Sequence, residues 1–104
     1  MDRNELVKRI KQEIVKIDNT ATVILYGSQA RGDYSADSDI DILILIDGNE
    51  LSVKREDKYM SVLYDLELES MIPISPRVVL KKNWYNRPFT TPYYINVTNE
   101  GIVL

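Results

Sequence analysis

The sequence predicts an α/β sandwich of few strands: a small sheet of about three strands with helices packed on it. Three observations carry that expectation. "ILILI", Ile42 to Ile46, is apolar at every position, as in a strand covered above and below. "ATVILY", Ala21 to Tyr26, is a second short apolar run rich in β-branched residues. Segments with helical spacing of apolar residues flank both.

Each element follows in order. Glu5 to Ile17 reads as an amphipathic helix, with Leu6, Ile10, Ile14 and Ile17 on one face. The polar "DNT", Asp18 to Thr20, ends it. Ala21 to Tyr26 is a strand, and Ser28 to Arg31 a short helix with Ser28 as N-cap and Gly32 as breaker. Asp33 to Ser38 is a polar loop before the strand Ile40 to Ile46, and Asp47-Gly48-Asn49 a turn. Ser52 to Ser70 reads as a long helix whose period is followed by Val53, Met60, Leu63 and Leu66 or Glu67. A third strand contains Val78 to Leu80, bracketed by Pro73, Pro76 and the basic Lys81-Lys82, a solvated strand end. Thr91-Pro92 starts a last helix, and Gly101 is placed to end it. The aromatic run "WYNRPFTTPYY", Trp84 to Tyr94, either pins that helix to the sheet or forms a docking surface. The expected organisation is a single domain over residues 1–104, with 84–104 as a C-terminal helical extension.

Composition removes whole classes of chemistry. The chain has no cysteine and no histidine. Disulfides, thiolate sites, Ser-His-Asp triads and the usual zinc centres are therefore excluded. Any bound metal must take oxygen ligands, which points to Mg²⁺ or Mn²⁺. No apolar run approaches the roughly 20 residues of a membrane span. The charged N-terminus lacks an apolar signal core, so a cytoplasmic protein is expected. A net charge of −3 argues against nucleic acid as partner. Residues 33–70 hold eleven acids against three bases, whereas both flanking segments are net basic. An anionic substrate would be repelled there unless a cation came with it.

Two of those acids stand apart. Asp39 and Asp41 are one residue apart at the mouth of the strongest strand, so they point to one face. Their Cα atoms would be roughly 6.5–7 Å apart, close enough for both carboxylates to converge on one cation or bridge two. Alone, D-x-D reads as readily as polar residues of a solvated loop. Ten residues earlier, Gly27-Ser28 closes the first strand. Gly27 permits close approach of backbone to a ligand, and the N–H groups after it with the Ser28 hydroxyl could grip a phosphate. The plain alternative is an ordinary serine-capped turn.

The stretch "YGSQARGDYSADSDID", Tyr26 to Asp41, resembles the signature of the DNA polymerase β-like nucleotidyltransferase superfamily. It is most similar to the minimal nucleotidyltransferases of bacteria and archaea, which often act as antitoxins beside a HEPN-domain protein. The resemblance implies the nucleotidyltransferase fold, with its small mixed sheet. It implies transfer of a nucleoside monophosphate, AMP from ATP first among them, to a hydroxyl acceptor such as a tyrosine of a HEPN toxin. Gly27 and Ser28 match the nucleotide-phosphate turn, and Asp39 and Asp41 the first two metal ligands and catalytic acids. Arg31 matches a basic residue usual in that helix, and could equally pair with Asp37 or Asp39. One departure stands out. Active members carry a third acid on the next long strand, and "PISPRVVL", Pro73 to Leu80, has none. Asp47, Asp65, Glu67 and Glu69 are not placed to replace it. A silent, contact-acting antitoxin is therefore the alternative expectation. A transferase this short also needs a partner to present or be the acceptor, for which a HEPN-domain protein is the candidate, and a homo-oligomer is a further expected association.

Overall fold

The computed structural model describes residues 1–104. The chain runs α1 (Arg3–Ile17), β1 (Thr22–Tyr26), α2 (Gly27–Arg31), β2 (Ile40–Ile46), α3 (Val53–Ser70), β3 (Ile74–Leu80), α4 (Lys81–Tyr85), α5 (Pro92–Glu100) and β4 (Ile102–Val103). Four strands form one mixed sheet in the order β3-β2-β1-β4. β2 and β3 are parallel and joined by α3, whereas β1 is antiparallel to both β2 and β4.

The sheet thus has one strand more than expected. β4 pairs Ile102 with Leu25 and Val103 with Ile24 along the free edge of β1. Its side chains are exposed, so it leaves no burial pattern in the sequence. α4 is also new. Lys81 opens it and is not a free strand end: its Nζ donates to the Thr20 carbonyl at 2.6 Å and meets Asp47 Oδ1 at 3.3 Å.

Alternation along β2 divides the core. Ile40, Ile42, Ile44 and Ile46 face α1 and α3, where Leu6, Ile10, Ile14, Tyr59, Leu63 and Leu66 meet them. Leu43 and Leu45 face the other way, against Trp84 and Val97 of α4 and α5. The strand is buried on both sides, as its sequence requires. Val53 does not join the first core and is 89% exposed. It lies six residues before Tyr59, roughly 120° around the helix from it.

Caps fix the helix ends. Asp2 accepts from the Glu5 N–H, Ser52 from Arg55, and Thr91 from Tyr94. Gly101 ends α5 in an extended conformation, and its role is close approach: a Cβ there would collide with the Val97 carbonyl and the Ile24 side chain. The aromatic run does pin α5. Trp84 is buried, and Tyr93 packs edge-on against both Trp84 and Tyr26. No helix is long and apolar enough to cross a membrane.

Candidate active site

Asp41 enters β2 in register with Tyr26 of β1 and Ser75 of β3. It shares the face of Leu43 and Leu45, and Asp39, two residues back, returns to that face. Asp39 is exposed, just before the strand, and Asp41 is half-buried. The main chain holds this register, since the Ile40 N–H donates to the Pro73 carbonyl at 2.9 Å. Arg3 holds the loop in front. Its guanidinium donates to the Ser38 carbonyl at 2.5 Å and to Gln29 Oε1 at 2.7 Å, tying α1, α2 and the loop together.

Gly27 lies directly against Asp41. Its φ is +73°, a conformation that disfavours side chains. A Cβ on it would collide with the Asp41 carboxylate. The glycine therefore lets β1 turn into α2 in the space beside the acid. Ser28 is not the N-cap. Tyr26 holds that position without a side-chain hydrogen bond, and Gly27 opens α2. Ser28 lies one residue inside, its carbonyl accepting from Gly32 and Asp33. Gly32, at φ +86°, ends the helix in the left-handed conformation expected of a breaker.

Arg31 leans towards neither Asp37 nor Asp39. Its Nε donates to Asp33 Oδ2 at 3.1 Å, and its Nη1 to both oxygens of Glu100 at 3.1 and 3.2 Å. Glu100 also accepts from the Gly27 N–H at 3.3 Å. Glu100 is the last residue of α5. It has no local motif, although it is the one acid of residues 71–104 and directly precedes Gly101.

The electrostatics are uneven. Burial pushes the Asp41 carboxyl above its usual range, the Asp39 charge pushes it further, and Glu100 adds to the push, while Arg31 opposes them. Burial pushes the Tyr26 phenol up and keeps it neutral, and its oxygen accepts from the Tyr93 hydroxyl at 2.9 Å.

The acids that precede β3 are engaged elsewhere. Glu67 accepts the Ile74 N–H at 2.7 Å, Glu69 meets Arg9 at 3.4 Å, and Asp47 meets Lys81. On the Asp41 face, β3 presents Ser75 and Arg77, and the Arg77 guanidinium lies over the Tyr93 ring at 4.4 Å from its centre. No group of three or more His, Cys, Asp or Glu side chains is assembled to hold an ion. Two oxygen-donor carboxylates whose repulsion Arg31 relieves only in part do fit a hard divalent cation, one that takes its remaining ligands from phosphate and water.

The nucleotidyltransferase-domain family model matches residues 7–103. Two proteins of Methanocaldococcus jannaschii, both named as candidate protein adenylyltransferases, are similar to the chain. MJ0141 is 34% identical over 105 residues, covering 98% of each protein. MJ0604 is 35% identical over 82 residues, covering 79% of this chain and 75% of its own length.

Proposed function

The chain belongs to the nucleotidyltransferase-domain family, and from that premise we propose that it transfers AMP from ATP to a hydroxyl group of a protein. A tyrosine of a HEPN-domain toxin is the acceptor this reading favours. One observation carries it: the Asp41 carboxylate and the Gly27 α-carbon fill adjoining space on one sheet face, with Asp39 two residues away.

In this reading Asp39 and Asp41 hold Mg²⁺ or Mn²⁺, whose chemistry is to neutralise phosphate charge and orient the triphosphate. Gly27 and Ser28 grip the phosphates from the other side, and Arg31 supplies a further cationic donor. The work of the site is positioning and charge compensation. The acceptor oxygen bonds to the α-phosphorus and the bond to pyrophosphate breaks. With no acid on β3, the hydroxyl proton passes to a phosphate oxygen of the substrate. α-Labelled ATP, Mg²⁺ and a candidate partner test this directly. Label should reach the partner with the native chain and not with Asp39→Asn/Asp41→Asn.

Ser75 and Arg77, where an acid would complete the site, favour a second reading. The chain would then neutralise its partner by contact, without turnover. The double asparagine variant would still bind and inhibit the partner, and no label would move with either protein.

A further inference from the structure

We propose that Glu100 is a positioning residue of the phosphate site, an internal anion that holds the donors of the triphosphate and yields them when it arrives. This inference rests on the nucleotide-binding reading above. Both donors assigned there to phosphate already carry a carboxylate. The Gly27 N–H donates to Glu100 Oε1 at 3.3 Å, and Arg31 Nη1 reaches both Glu100 oxygens at 3.1 and 3.2 Å. A carboxylate bound at once by a backbone amide and a guanidinium is bound as a phosphate is bound.

The placement of Glu100 is built, not incidental. It is the last residue of α5, and the backbone fixes it on both sides. Gly101 donates to the Val97 carbonyl at 2.8 Å and packs too closely on Ile24 for any side chain. β4 then pairs with β1, and the Leu104 N–H donates to the Val23 carbonyl at 2.8 Å. Gly27 and Arg31 hold the Glu100 carboxylate by an amide hydrogen bond and a direct ion pair. A triphosphate therefore competes with Glu100 for its donors. The apparent affinity is reduced by the fraction of molecules in which Glu100 occupies them.

The test compares the native chain with Glu100→Gln, which keeps shape and an acceptor but removes the charge. The probes are ATP, tripolyphosphate and adenosine, titrated with and without Mg²⁺ by calorimetry. The variant should bind ATP and tripolyphosphate about two- to fivefold more tightly, the size of one partly exposed ion pair, and adenosine no differently. If the native chain binds ATP and the variant binds it equally or more weakly, the placeholder role is wrong while the nucleotide reading stands. If neither protein binds any nucleotide, both fall. A second measurement on the native chain needs no variant. Tripolyphosphate should shift the amide resonances of Gly27 and of Gly101 to Val103 together. A shift at Gly27 that leaves Gly101 to Val103 unmoved overturns the proposal.

Discussion

Asp18 accepts three hydrogen bonds at the mouth of β1, whereas Asp41, at the start of β2, is governed by burial and neighbouring charges alone. Both are half-buried acids beside a tyrosine. Around Asp18, the Thr20 N–H and hydroxyl donate at 3.0 and 2.6 Å, and the Tyr59 hydroxyl at 2.6 Å. Burial pushes the Asp18 carboxyl up, but these bonds outweigh it, with Lys58 assisting, and the net shift is downward. At Asp41 burial and Asp39 push up and only Arg31 opposes. One carboxylate closes a corner of the fold. The other is tolerated by the fold, as expected of a group kept for a ligand.

The same substitution at both positions breaks or confirms this contrast. Asp41→Asn should reduce label transfer by more than the roughly 10–100-fold that loss of a metal's outer-shell partner costs. It should not lower Tm, because it removes repulsion. A loss of stability in that variant would make Asp41 a structural acid like Asp18. Gly27→Ala attacks the space that Asp41 occupies. Positive φ and collision together should cost about 2–3 kcal/mol, or roughly 8–20 °C in Tm. Thermal melts showing a native Tm would mean that the turn has room to spare. Ser75→Asp puts an acid beside Asp41 on the same face, and a turnover gain of about tenfold is expected in steady-state assays, below the roughly 10²–10⁴-fold of a fully positioned base. An unchanged rate would show that the substrate's own phosphates suffice as base.

The smallest effect belongs to Asp18→Asn, about 1 kcal/mol of stability at neutral pH, with nucleotide binding intact. The sign of its pH dependence follows from the lowered native value. The stabilisation is complete above the unfolded value of 3.8 and is lost as pH falls through the lower native value. Denaturant melts of the two proteins should therefore differ at pH 7 and converge in strong acid. A gap that persisted there would assign the effect to packing.

Much of this contrast was legible along the chain. β2 announced itself because burial on both faces demands an unbroken apolar run, and the spacing from Gly27-Ser28 to Asp39 and Asp41 singled out two turns whose Gly27 and Asp41 the fold brings into contact. Thr91-Pro92 marked the start of α5 because a cap bond and a fixed φ are local properties. What escaped was set by distant contacts. β4 has exposed side chains and is a strand only because the edge of β1 is free. α4 follows directly on β3, and Trp84 anchors it from within a run that reads equally as surface. Glu100 is separated from Arg31 by 69 residues, so no spacing rule joins them. The cap of α2 lies two positions before Ser28, at Tyr26, because the helix opens at Gly27.

β4 also sets an order in time. β1 and β2 are neighbours in sequence and close early, while β4 must return to β1 across most of the chain, a contact of high loop entropy. Two paired residues are a thin hold, so this corner should be the first to open and the last to re-form. The acids on β2 are then assembled before the segment carrying Glu100 docks. An opening of that corner would release the Gly27 amide and the Arg31 guanidinium from Glu100 together.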